Sequence, residues 1–127
     1  MRASQAVLLR RIRRLTVLLA VAGVAYLVMR FDIVGLPEDR CCPLTRFEPG
    51  DRLIVDGSPT TLSPADAVLV RTADGSLHLT RISAVRSKDG AIWCETDAPD
   101  CPGLSSEDVG WIDPRAVDGR VLMSWEF

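Results

Sequence analysis

Histidine and paired cysteines, the usual protein ligands of zinc, are scarce in this sequence. It has one histidine and four cysteines but no Cys-x-x-Cys pair, which disfavours a zinc site. Its acidic group Asp97, Asp100, Glu107 and Asp108 lacks the regular spacing of a calcium loop. The 127 residues leave room for one domain and an appended segment, which excludes a second catalytic domain. We therefore expect no metal and no other cofactor.

Acidic residues are absent from the first part of the chain. The first fourteen residues carry five arginines and no acid, whereas residues 31–127 hold all 17 acids against nine bases. A basic patch could bind nucleic acid, but this one lies directly before an apolar run, as in the cytoplasmic flank of a membrane helix. We therefore predict a basic cytoplasmic flank over residues 1–14 and no nucleic-acid partner.

An uncharged run from Leu15 to Met29 follows the arginines. It is shorter than the roughly 20 residues that a membrane span usually needs. Arg14 and Arg30 can extend their charged ends toward water, and Ile33 to Leu36 prolong the apolar character. We predict a transmembrane anchor and its exit over residues 15–36, with residues 37–127 exported. The protein would then cross the plasma membrane once, in contact with lipid, with its amino terminus in the cytoplasm.

A cleaved signal peptide is the alternative interpretation of the same run. Ala20-Val21-Ala22 has the small-x-small form of a cleavage site. Cleavage there would leave a very short apolar core before the cut, and the run continues past it. The uncleaved anchor is therefore the preferred interpretation.

Short apolar runs separated by glycine and proline turns make up the rest of the chain. Asp74-Gly75 and Asp89-Gly90 predict tight turns, since Asp-Gly supplies the positive φ that such turns require. We expect a long loop over residues 95–108, a helical turn at 113–117 and a turn at Asp118-Gly119. The fold class is therefore mainly β, a barrel-like or sandwich domain carried on one amino-terminal helix. The predicted strands are 52–56, 67–71, 77–85, 91–94 and 120–125.

An even number of cysteines in an exported domain predicts disulfides. Cys94 and Cys101 bracket a short loop that a bridge could close. Vicinal Cys41 and Cys42 seldom bond each other, so one of them could instead reach Cys94 or Cys101. Cys42 is thus a candidate disulfide partner, and the connectivity is left open.

The order of motifs over roughly residues 10 to 125 resembles the type I signal peptidase family. Its members are membrane-anchored endopeptidases with a Ser nucleophile and a Lys general base. Pro49-Gly50-Asp51 before an apolar strand resembles the end of the first family box, and counting back from Gly50 places Cys42 at the nucleophile. Ala65-Asp66 before a second apolar run resembles the next element. The resemblance implies a signal-peptidase-like β-domain.

Two further elements of the family have counterparts here. Thr80-Arg81 followed by aliphatic residues resembles the element that carries the base, and the resemblance puts Thr80 in the place of that base. Ser105 to Pro114 resembles the last element, where Ser106 matches the residue that supports the base. His78, the only histidine, is a further candidate for the base. The four positional candidates for a catalytic site are therefore Cys42, His78, Thr80 and Ser106.

The departures from the family fall on its catalytic chemistry. A Ser/Lys dyad needs a desolvated lysine, whereas the only lysine here, Lys88, lies in a predicted solvated turn. His78 precedes Thr80 by two residues, so the two side chains would share one face of a strand. At roughly 3.3 Å per residue, His78 lies about 7 Å from the position of the base.

These observations lead to three hypotheses for function. The preferred one is a catalytically degenerate family member that binds exported polypeptides or precursors in extended form along a strand edge. The second is an active endopeptidase with Cys42 as nucleophile and His78 as base. The third is a disulfide-stapled membrane scaffold that binds no peptide.

Overall fold

The computed structural model describes residues 2–98, 100–101 and 103–126. The chain divides into two units, Met1–Phe31 and Asp32–Phe127. The first described element is helix α1, Arg2–Arg30, none of whose residues is buried. At roughly 1.5 Å per residue its length exceeds the roughly 30 Å hydrocarbon core of a bilayer. α1 is thus long and apolar enough to cross a membrane, as the sequence predicts.

The helix ends earlier than the predicted anchor and its exit. Phe31–Gly35 forms strand β1 instead of prolonging the apolar segment toward Leu36. The aromatic and β-branched residues of this stretch favour a strand when a neighbouring strand is available for pairing. β2, Arg52–Asp56, supplies that neighbour. The sheet therefore starts at the residue that follows α1.

The rest of the chain is mainly β, as predicted, and forms a six-stranded antiparallel sheet in the order β1-β2-β6-β3-β4-β5. β2 and β3 have the predicted bounds, and so has β4. The second predicted turn leads into β5 one residue later than expected. A short helix, α2, Ser106–Val109, lies partly in the predicted 95–108 loop, and a 3-10 turn at Pro114–Ala116 falls in the predicted helical turn. The remaining strands are β3, Ala67–Arg71, β4, Leu77–Val85, β5, Ile92–Glu95, and β6, Val117–Trp125.

The predicted turn at Asp118-Gly119 is wrong, because both residues lie inside β6. Gly119 pairs with Leu69 of β3, and the register of the β3–β6 pair shifts directly beyond it. A Cβ atom on Gly119 would lie 2.2 Å from Cγ1 of Val55 in β2. Glycine is required here for close approach between neighbouring strands, and no chain reversal occurs.

Strand β3 is the centre of the core. Ala67 and Leu69 belong to one buried cluster, whereas Val68 and Val70 belong to a second cluster that contains Ile82. β3 is therefore covered on both faces, which explains its continuous apolar sequence without alternation. The first cluster also contains the segment before β2, through Leu44, Phe47, Leu53, Val55, Leu79 and Val121.

We predict that Gly119→Ala destabilises the domain by about 1–3 kcal/mol, because the added methyl group overpacks the β2–β6 contact. The matched control is Gly35→Ala, since a Cβ atom on Gly35 meets nothing within 4 Å. The free energy of unfolding in denaturant, followed by tryptophan fluorescence, measures both changes. Equal stability of the two variants would contradict the role assigned to Gly119.

Candidate functional site

A cavity of about 640 Å³ opens beside the first half of β4. This volume lies within the range of about 300–1,000 Å³ that ligand sites occupy. Its lining is mostly apolar. Arg40 adds a guanidinium group and His78 an imidazole. The residues that line it are Val34, Gly35, Leu36, Pro37, Arg40, Cys41, Cys42, Pro43, Pro49, Leu69, Ser76, Leu77, His78, Leu79, Cys101 and Gly103.

The first half of β4 has a strand partner on one side. Leu77 to Leu79 pair with β3, in which Arg71, Val70 and Leu69 are opposite. On the other side β5 pairs only with the second half of β4, from Arg81 to Val85. Among the described residues, the outer edge of Leu77–Leu79 is therefore without a neighbouring strand, and these three residues line the cavity.

The four sequence-predicted site residues fall into two separate places. Cys42 and His78 both line the cavity. Thr80 and Ser106 are buried and are not among the lining residues. They lie instead around Cys94 of β5, whose N–H donates to Ser106 Oγ at 2.8 Å. Cys42 and His78 thus share one cavity, whereas Thr80 and Ser106 share the surroundings of Cys94.

Thr80 is held by backbone carbonyls. Its hydroxyl donates toward the carbonyl oxygens of Glu95, at 3.1 Å, and Leu104, at 3.0 Å. These contacts satisfy a fully buried hydroxyl and tie β4 to the chain beyond β5. A hydroxyl directed in this way cannot replace the amine of a lysine base.

The Cys94 thiol shares the surroundings of Thr80 and is chemically protected. Burial raises the pKa of Cys94 to about 11, although the Thr80 hydroxyl opposes part of this change. The thiolate is the reactive form of cysteine, so Cys94 stays inert at neutral pH.

Cys42 is a half-buried free thiol. Burial raises its pKa above the ordinary value, the nearby N–H of Leu44 opposes this change, and the negative charge of Asp51 adds to it. The thiol is consequently protonated near neutral pH. Nucleophilic cysteines in enzymes usually have a lowered pKa, so Cys42 is poorly activated for attack.

The disulfide joins Cys41 to Cys101, with 5.7 Å between their Cα atoms. This confirms that one member of the vicinal pair reaches the 94–101 loop. The alternative bridge between Cys94 and Cys101 is wrong, as is the prediction of Cys42 as a disulfide partner. Cys94 is instead a free thiol, fully buried in the cluster that contains Ile82 and Ile92.

Asp97 provides a second connection between the same two segments, one that the sequence did not indicate. Its carboxylate accepts the N–H and hydroxyl of Thr45, each at 3.3 Å, and pairs with Arg81 of β4. The backbone N–H groups of Asp97 and Ala98 donate to the carbonyl oxygen of Pro43. Burial opposes ionisation of Asp97, but the bonds from Arg81 and Thr45 outweigh it and lower its pKa.

No family model, curated protein or solved structure matches this chain. Within residues 2–98, 100–101 and 103–126, no three His, Cys, Asp or Glu side chains lie close enough together to hold a metal ion. The candidate site is a mostly apolar cavity lined by three cysteines and by the part of β4 that has an open edge.

We predict that two thiols per chain are free and that they differ in reactivity. Cys42 should react with iodoacetamide at pH 8 more slowly than an exposed cysteine, because its raised pKa leaves less thiolate. Cys94 should react only after unfolding. The control is Ser87→Cys on a Cys42→Ser background, since residue 87 lies in an exposed turn. When the labelling rate is followed against pH, the rate of the control should level off above the ordinary cysteine pKa of about 8.5. At the same pH, the rate at Cys42 should still be rising because its pKa is raised. Faster labelling of Cys42 than of the control would contradict this account.

Proposed function

We propose that this chain is a single-pass membrane protein of the type I signal peptidase family that binds exported polypeptides without cutting them. The arginines at the start of α1 support a cytoplasmic amino terminus, by the positive-inside rule. α1 would then cross the plasma membrane and leave the β-domain on the outer side. The motif order supports membership of the family.

The positions of Thr80 and Ser106 also support this membership. In the resemblance they match the base and the residue that supports the base, which must lie close together. Both are buried, and both bond to backbone atoms of β5, at Glu95 and Cys94 respectively. This proximity comes from distant parts of the sequence, so the pattern of motifs alone did not require it.

The observation that carries the binding proposal is the open edge of Leu77–Leu79 beside the cavity. An extended peptide can add to such an edge as a further strand, with backbone hydrogen bonds for affinity and pockets for alternate side chains. Leu36, Leu69 and Leu79 offer apolar surface to those side chains. The cavity is thus suited to an extended, mostly apolar segment.

The proposal that the chain does not cut its polypeptide rests on the groups that line or neighbour the site. Thr80 occupies the position of the base with its hydroxyl committed to carbonyl oxygens. Lys88 is exposed in the turn between β4 and β5, outside the cavity lining. The Cys42 thiol is kept protonated by its partial burial. The ingredients of a Ser/Lys dyad are therefore not assembled here.

An active endopeptidase is the second candidate. Cys42 and His78 line the same cavity, which supports their use as nucleophile and base. This candidate requires His78 to remove the proton that burial keeps on Cys42. A scaffold without peptide binding is the third candidate, and the Cys41–Cys101 disulfide is compatible with it.

We predict that the full chain in lipid nanodiscs binds short extended apolar peptides, as measured by fluorescence anisotropy. Leu77→Glu should weaken binding by about tenfold, or roughly 1.4 kcal/mol, because it places a charge where apolar side chains must be buried. Leu122→Glu is the matched control, since Leu77 and Leu122 are 43% and 47% exposed and Leu122 does not line the cavity. Equal binding by both variants would contradict this use of the β4 edge. If the wild type binds no peptide at all, the scaffold without peptide binding becomes the favoured function.

The same preparation distinguishes the binder from the endopeptidase. We expect no cleavage of precursor peptides by wild type above the level without protein. Cleavage that disappears in both Cys42→Ala and His78→Ala, measured by mass spectrometry of the products, would replace our proposal with the second candidate.

A further inference from the structure

Three of the four cysteines line the one cavity, and they differ in exposure. Cys41 is exposed, Cys42 is half-buried and Cys101 is buried. Cys41 and Cys101 form the disulfide, and Cys41 is the more exposed residue of the two. The Cys41–Cys101 bond forms part of one wall of the proposed peptide cleft, where a bound polypeptide would contact it.

The wall does not depend on this bond alone. Pro43, two residues after Cys41, accepts hydrogen bonds from the backbone of Asp97 and Ala98 at 2.9 and 3.2 Å. Thr45 bonds to the Asp97 carboxylate, which Arg81 holds from β4. These bonds all lie on one side of the disulfide, after Cys41 in the first segment and before Cys101 in the second. The two segments therefore have connections that remain when the disulfide opens.

Cys42 does not compete for this disulfide. Its thiol would have to ionise before attacking the neighbouring bond, and partial burial with the charge of Asp51 disfavours ionisation. The oxidised pair and the free thiol can therefore coexist in one cavity at neutral pH. An incoming, more solvated thiol does not have this handicap.

We propose that the Cys41–Cys101 disulfide is a thiol–disulfide exchange site for a cysteine of the polypeptide held in the cleft, an inference that rests on the proposed peptide-binding function. The polypeptide thiol loses its proton to solvent and attacks Sγ of Cys41. The new bond joins the polypeptide sulfur to Cys41 while the Cys41–Cys101 bond breaks. Cys101 leaves with the electron pair and takes a proton from solvent.

A second cysteine of the same polypeptide can then displace Cys41. This step forms a disulfide within the polypeptide and leaves Cys41 and Cys101 as thiols. The polypeptide is oxidised by two electrons and the protein disulfide is reduced by two. One chain thus oxidises one pair of cysteines, and the chemical class of substrate is an exported polypeptide with reduced cysteines.

The test uses the oxidised full chain in lipid nanodiscs. It is mixed with an apolar peptide that contains one cysteine, or with glutathione at the same concentration, and quenched with acid at intervals. Fragment-ion mass spectrometry identifies the sulfur that carries the adduct. We expect an adduct on Cys41 that forms at least about tenfold faster with the peptide than with glutathione, because the cleft raises the local concentration of the peptide thiol. Leu77→Glu should reduce the peptide rate to the glutathione rate, while Leu122→Glu should not.

The serine version of the peptide separates the two proposals. It should bind and should slow adduct formation by the cysteine peptide through competition. If the serine peptide binds but the cysteine peptide forms no adduct, or forms it on Cys42, the exchange site is wrong and the binding function stands. Equal rates for peptide and glutathione would also overturn the exchange site. If the serine peptide does not bind, the binding function fails and the exchange site fails with it.

Discussion

The burial of β3 on both faces is the constraint on which the rest of the domain depends. Alternate side chains of this strand enter two different clusters, so both sides must be covered by other parts of the chain. β6 and β4 flank β3 within the sheet. The segment around Leu44 and Phe47 covers the cluster of Leu69, and that same segment carries Cys41 and Cys42 toward β4. Core packing therefore builds one wall of the cavity.

The difference between the two halves of β4 creates the open edge. β5 is only four residues long and pairs with the second half of β4 alone. Thr80 lies at the boundary, where its hydroxyl bonds to Glu95 and Leu104 and thereby joins β4 to the chain that follows β5. Beyond this point, toward Leu77, the strand edge faces the cavity. A buried polar contact thus separates a closed part of the sheet from a part that can accept another strand.

Burial also governs the chemistry of the sulfur atoms. It raises the pKa of both free thiols, more strongly at Cys94 than at Cys42. Desolvation therefore suppresses thiolate formation at Cys42, the residue that the resemblance to signal peptidases puts in the place of the nucleophile. Cys41, an exposed residue, differs from the free thiols because a disulfide sulfur needs no ionisation to be attacked. The cavity is therefore lined by one disulfide and by one free thiol that burial keeps protonated.

Elements that depend on neighbouring residues alone follow from the amino-acid sequence. The apolar runs between Gly and Pro turns predict the bounds of β2, β3 and β4, and the uncharged run predicts a helix suited to a membrane. Tertiary structure decided what depends on distant residues. Cys41 and Cys101 are 60 positions apart, and their pairing depends on the fold that brings their Cα atoms to 5.7 Å. β1 requires β2 as its neighbour, and Gly119 is explained by Val55 instead of by a turn. The shared cavity of Cys42 and His78 likewise exists only once β3 has both of its faces covered, because spacing along a chain does not specify which segments pack together.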